Sequence, residues 1–276
     1  STTPGRDTAE TPAETPAEAL ARLYDLDLLD DPGDLDLWTA LAAQADGPVL
    51  ELMAGSGRIA VPLAEEGHAV TAVDLDAAML ARARRRAERA GPEVVARLSL
   101  VLGDVTAPDP GLGLGFGLAF ISLNSILLLG SRAAQRAAWE ALAVHLAPGG
   151  VAAVDTWLPD AHDLARYDGR LHLEYHRPDP ETGRWVTKTA AAQHDAATQT
   201  VALTTIYEEG DPGEPASRWV RRDVVRLLTA DELRAMAAAA GLEVELVAGG
   251  YDLEPLGPHD DRAVVIARKQ VSGGRE

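Results

Sequence analysis

Two carboxylates, each standing where an apolar run gives out, are the groups in this sequence best placed for chemistry on a nucleoside. Asp74 closes Val70-Thr71-Ala72-Val73-Asp74, and Asp104 closes Leu100-Val101-Leu102-Gly103-Asp104. Ahead of both lies Val49-Leu50-Glu51-Leu52-Met53-Ala54-Gly55-Ser56-Gly57-Arg58, a buried strand that ends in glycines. Glycine at 55 and 57 lets the backbone turn and approach a ligand with no Cβ in the way, and a helix from about Arg58 directs unpaired N–H groups at an anion. Asp74 can accept both hydroxyls of a ribose, while Asp104 suits an exocyclic amine. Gly55-x-Gly57-x-x-Ala60 with Asp74 also fits an NAD-dependent oxidoreductase. Nothing later in the chain repeats a mononucleotide-binding half, so the second half of a dinucleotide has no seat.

The elements that must position these groups alternate strand and helix. After the three strands come a fourth that ends at Ser122-Leu123-Asn124-Ser125, an amphipathic helix over 131–146, a stop and turn at Leu146-Ala147-Pro148-Gly149-Gly150, and a fifth strand, Val151–Trp157. The period then changes from 3.6 to 2, and 170–177, 184–194, 198–208 and 218–228 read as antiparallel strands joined by Pro/Gly turns. A helix from Thr229 to Ala240, ended by Gly241, and strands over 242–248 and 262–268 return to the first pattern. Before the first strand, apolar residues at helical spacing predict helices over 19–29 and 34–45, the second with Asp34 as N-cap. Residues 1–18, with the repeated Glu-Thr-Pro-Ala, read as a disordered tail.

These residues resemble the class I S-adenosylmethionine-dependent methyltransferases. The resemblance covers roughly residues 20–160 and the last strands. It rests on Glu51-x-x-x-Gly55-x-Gly57-Arg58, Asp74, Gly103-Asp104 and Leu146-x-Pro148-Gly149-Gly150, in the family's order and spacing. Within the family the chain looks most like the small-molecule branch of amino-sugar N,N-dimethyltransferases and glycine N-methyltransferase-like enzymes, which also carries a Tyr-Asp pair, here Tyr24-Asp25. The resemblance implies an α/β, Rossmann-like sheet with two N-terminal cap helices and an antiparallel β insertion after strand 5. It implies that Ala54, Gly55 and Gly57 approach the methionine part of the cofactor, Asp74 takes the ribose, and Asp104 with Val105 holds the adenine. The cofactor set expected on this basis also includes Tyr24, Trp38, Glu51, Met53, Arg58, Leu75, Met79, Gly103, Ser122 and Leu123. Met53-Ala54 stands where many relatives carry Gly-Cys, an exchange expected to be tolerable if only position 55 must lack a side chain.

Composition bounds the rest. The chain has 276 residues, no cysteine and a formal charge of −18. The missing cysteine removes disulfides, thiolate metal sites and a cysteine nucleophile, and the acidity argues against nucleic-acid substrates. No apolar run is long enough for a membrane span and no signal pattern opens the chain, so a cytoplasmic location is expected. Residues 19–276 are read as one domain, in which the insertion, 169–228, serves as a substrate lid or as the surface of a homodimer.

Acceptor-side candidates follow from position. Asn124, ending the fourth strand, Tyr24 and His162 are the candidate catalytic residues; Tyr24 can close over a sulfonium, and His162 is the best-placed base. Asn124, Trp157, Tyr175, His194 and Tyr207 are candidate substrate contacts. Trp38 either packs or lines the cofactor pocket. His172, Glu174 and His176 alternate onto one strand face with metal-capable spacing, but without a third-ligand context no metal is expected. Arg82, Arg84, Arg85, Arg86 and Arg89 spread around one helix and read as a solvated surface. The chain is therefore expected to transfer a methyl group from S-adenosylmethionine to nitrogen or oxygen of a small molecule, in specialised-metabolite or antibiotic biosynthesis. The alternatives are an NAD-dependent oxidoreductase and a non-catalytic S-adenosylmethionine-binding regulator.

Overall fold

A computed structural model describes residues 14–107, 110–211, 213 and 215–271. Strands β1 (Val49–Leu52), β2 (Val70–Asp74), β3 (Leu98–Leu102), β4 (Phe116–Ile121) and β5 (Leu146–Trp157) run parallel. β1 and β4 are buried along their whole length, as strands covered by helices on both faces must be. Strands β6 (Asp168–Pro178), β7 (Trp185–Asp195), β8 (Thr200–Glu209) and β9 (Ser217–Arg226) form a separate antiparallel sheet in that order, the expected insertion. The chain then returns through β10 (Leu242–Ala248) and β11 (Arg262–Lys269), giving a main sheet ordered β10-β11-β5-β4-β1-β2-β3, with β11 antiparallel to both neighbours. The predicted α/β sheet with an antiparallel insertion is what the structure contains. No helix among the described residues is long and apolar enough to cross a membrane.

Helix α1 (Pro16–Asp27) begins earlier than apolar spacing predicts. Thr15 and Glu18 form a reciprocal capping box and Pro16 occupies the first turn, where its missing N–H costs nothing. The remainder of the predicted tail, residues 1–13, lies outside the described residues. Helix α2 (Leu35–Gln44) starts where expected, but Asp34 does not cap it; its carboxylate is taken by Trp38 and Arg58 instead. Helix α3 (Ala60–Glu65) follows the glycine turn, and α4 (Ala77–Ala90) is capped by Asp76. Helices α5 (Pro92–Arg97), α6 (Arg132–His145), α7 (Ala161–Arg166) and α8 (Ala230–Ala239) complete the layers.

The polar face of α1 is clasped between the antiparallel sheet and helix α4. Arg22, 4% exposed, pairs with Asp179, with Glu209 (2.8 Å) and with Glu14 (2.9 Å). Asp27 accepts from the hydroxyls of Tyr175 and Tyr207, each at 2.7 Å, and from Lys188 at 2.8 Å. On the opposite side Asp25 accepts from Arg82 at 2.7 Å, and Arg82 also grips Glu181 of the β6–β7 turn. Arg82 is thus 8% exposed, a correction to the reading of the α4 arginines as a uniformly solvated surface. Leu23 and Leu26 pack with Val186 and Tyr207 beneath these pairs. Removing one partner of a buried ion network leaves uncompensated charge, so Arg22→Met should lower unfolding free energy by about 3 kcal/mol, read by urea denaturation.

Candidate active site

The main sheet reverses strand order between β1 and β4, and a crevice opens there beyond the strand ends. A cavity of about 310 Å³ lies in it, lined by Tyr24, Met53, Gly55, Asp74, Met79 and Ser125 together with Leu20, Leu128 and Arg221. Asp74 accepts from the Gly55 N–H (2.7 Å) and the Asp76 N–H (2.9 Å), which holds the carboxylate at the mouth of the glycine turn while each oxygen keeps a second lone pair. Glu51 lies buried beneath. One of its oxygens accepts from the Ser122 hydroxyl at 3.2 Å and the other has no partner, and burial pushes its carboxyl up to about 8. Gly103, Asp104 and Val105 line a small crevice with Leu52, Val73 and Val101, and Leu75 beside Asp74 is 71% exposed.

Several expected cofactor contacts are placed otherwise. Trp38 is fully buried, stacked on Phe120 at 4.5 Å with its indole N–H on Asp34, so it belongs to the core. Arg58 commits both terminal nitrogens to Asp34, at 2.6 and 2.7 Å. Ala54 is buried, its N–H donating to the Val73 carbonyl. Gly57 serves packing: a Cβ there would stand 2.9 Å from that of Ala83 on α4. Gly57, rather than Met53, corrects the expectation that only position 55 need lack a side chain; Met53 carries one although its φ of 59° lies in the left-handed region that favours glycine.

Leu123 (φ 52°) and Asn124 (φ 61°) are left-handed in succession where β4 enters a 3₁₀ turn, Ser125–Leu129. Non-glycine residues keep such conformations only where their surroundings impose them. Arg262 donates to the Asn124 amide oxygen (3.1 Å) and to the buried Asp155 (2.5 Å), which also accepts from Tyr251 (3.0 Å). Asn124 therefore braces the turn; Ser125 and Leu128 are the residues of it that line the first cavity.

Beyond this turn lies a second cavity of about 400 Å³, between the inner face of the antiparallel sheet and α7, with Leu127, Trp157, Asp163, Tyr167, Ala190 and Thr205 on its walls. Trp157 is on its wall, edge-on to Tyr167. His162 is not a wall residue: it is exposed on the first turn of α7, whose Asp163 and Arg166 line the cavity instead. Tyr175 and Tyr207 are turned to Asp27, and His194 lies outside both linings, with its backbone N–H on the Tyr167 carbonyl. A β-bulge between Leu173 and Tyr175 breaks the alternation assumed for His172, Glu174 and His176. His172 and Glu174 reach the cavity, whereas His176 stacks on Trp185 at 4.7 Å. Among the described residues no group of three His, Asp or Glu side chains is disposed to hold a metal.

Residues 49–150 match the family model described as a methyltransferase domain. The cypemycin N-terminal methyltransferase of a Streptomyces species is 30% identical over 266 residues, covering 92% of this chain and 97% of its own. The chain belongs to the class I S-adenosylmethionine-dependent methyltransferases. The methyltransferase is also 27% identical over 238 residues to dTDP-3-amino-3,6-dideoxy-alpha-D-glucopyranose N,N-dimethyltransferase of Streptomyces fradiae, covering 84% of this chain and 86% of that one. The solved structure of the CcbJ methyltransferase from Streptomyces caelestis superposes with TM-score 0.68 at 25% identity, over 86% of this chain and 96% of that one.

The residues present fit S-adenosylmethionine. The orphaned Glu51 oxygen suits an ammonium, Asp74 offers lone pairs to two hydroxyls, and the Gly103–Val105 crevice is apolar with a carboxylate at its rim. Sequence reading missed Leu20, Leu128 and Arg221 in the first cavity and Asp163, Tyr167 and Thr205 in the second. They are ordinary residues in their own segments, and only the docking of the insertion gathers them.

Because folding raises the Glu51 carboxyl from the unfolded range to about 8, the native state binds the extra proton, and stability present at acid pH is lost as pH rises through about 8. Urea unfolding from about pH 5 to about pH 8 should show this decline in the ligand-free wild type and a shallower one in Glu51→Gln.

Proposed function

We propose that this methyltransferase methylates an amine nitrogen of a small specialised metabolite held beneath the antiparallel sheet. The observation that carries the reading is the adjacency of the two cavities. Ser125 and Leu128 line the first while Leu127 of the same turn lines the second, and Arg221 lines the first while its register partner Thr205 lines the second. Bound S-adenosylmethionine supplies a methyl group on a sulfonium, open to in-line displacement. The chain's part is to align an acceptor lone pair and exclude water. Burial pushes the Tyr24 hydroxyl up to about 12, so it stays protonated near neutrality and takes no proton. A neutral amine brings its own lone pair and needs no base to attack, whereas a hydroxyl acceptor is helped by one. The relatives' printed names, an amino-sugar N,N-dimethyltransferase and an N-terminal methyltransferase, support nitrogen as well.

In this reading Asp74 binds the ribose, Glu51 the methionine ammonium, and Asp104 and Val105 with Leu75 the adenine. Tyr24 faces the sulfonium, and Trp157 and Tyr167 wall the acceptor. Residues 19–276 work as one domain with 169–228 as its lid, in a cytoplasmic setting and without nucleic acid.

Incubation with S-adenosylmethionine and acceptor pairs that differ only in amine against hydroxyl, followed by product mass, tests the choice; methyl gain by the hydroxyl members alone would overturn it. Ala192 lines the second cavity opposite Leu203. Ala192→Phe should lower kcat/KM for the acceptor by about tenfold or more while leaving S-adenosylhomocysteine affinity within about twofold.

A further inference from the structure

The first cavity presents more anionic than cationic chemistry. Asp74 and Asp76 line it and Glu51 lies beneath, which suits the hydroxyls and ammonium of the cofactor but leaves its carboxylate to be matched. Arg58, the cation nearest in sequence to the glycine turn, is held end-on by both oxygens of the fully buried Asp34 and is not a wall of the cavity. Arg221, on β9 of the lid, is a wall. Its Nε donates to one oxygen of Asp223 at 2.7 Å, which orients the guanidinium and leaves the terminal fork for a planar anion. β9 is seated against the nucleotide fold at this level: the Val224 carbonyl oxygen would lie 2.9 Å from a Cβ on Gly130, just past the turn that carries Ser125 and Leu128.

We propose that Arg221 holds the carboxylate of the cofactor's methionine moiety, so that the bound cofactor links the lid to the nucleotide fold. The lid is then part of the cofactor site as well as the roof of the acceptor cavity. This goes beyond the choice of acceptor and stands whether nitrogen or oxygen is methylated.

Isothermal titration of the full chain with S-adenosylhomocysteine and with S-adenosyl-3-thiopropylamine, which lacks only the carboxylate, tests it. The wild type should bind the first roughly ten- to a hundredfold more tightly. Arg221→Met should bring the two within about threefold, by weakening S-adenosylhomocysteine alone, and Arg221→Lys should retain part of the gap. Binding of 5′-methylthioadenosine, which has neither charged group, should be unchanged in both variants and reports an intact nucleoside site. Should Arg221→Met not fold, Arg221→Gln is read in the same way. A wild type that does not discriminate, or a gap of full size in the folded variant, overturns the proposal. A wild type that binds none of the three ligands contradicts the cofactor site itself and the proposal with it.

Discussion

The reversal of strand order between β1 and β4 is the constraint on which the rest of this structure depends. Successive helices leave the two strands in opposite directions around the sheet, so no connection closes the space above their carboxyl ends. Asp74, the glycine turn and the Ser125–Leu129 turn converge on that opening because the chain has no other course from strand to helix. The backbone at its rim is correspondingly unusual. Met53, Leu123 and Asn124 all lie at positive φ at the ends of these two strands, and the Asp155–Arg262–Tyr251 group braces the second of them.

A second constraint is ionic. The antiparallel sheet shares little apolar surface with helix α1, only the small cluster around Leu23, Leu26, Val186 and Tyr207. Ion pairs and hydrogen bonds to carboxylates do much of the remaining positioning: Arg22 joins α1 to the β6–β7 turn and β8, Asp27 to β6, β7 and β8, and Arg82 ties α4 to both α1 and the β6–β7 turn. Buried pairs contribute modestly to net stability because desolvation offsets much of their attraction, but they are exacting about geometry. They set the antiparallel sheet at one height above the crevice, and that height decides which of its residues meet which cavity.

Two cavities rather than one follow from this placement. The turn after β4 intervenes between them, and the row Ala190, Thr205 and Arg221 across β7, β8 and β9 spans both.

The main sheet and the cofactor were legible in the chain, as were the residues proposed to bind it, because each is local. Buried parallel strands read as apolar runs, the glycine turn and Asp74 sit within one β-α-β unit, and Gly103-Asp104 closes the next strand. Even the four insertion strands showed as a change of period. What tertiary structure alone decided is which side chains meet across segments far apart in sequence. Nothing around residue 38 says that Trp38 stacks on Phe120, nothing around Asp27 announces Tyr175, Tyr207 and Lys188, and the bulge that separates His176 from Glu174 shows only in strand register. Asn124 and His162 were the right residue types at plausible positions, yet Arg262 claims the first and the turn of α7 exposes the second. The first cavity takes most of its walls from short local motifs and could be read in part from them; the second is built by docking one sheet on another, and the energy of that docking is spread over partners that no local pattern encodes.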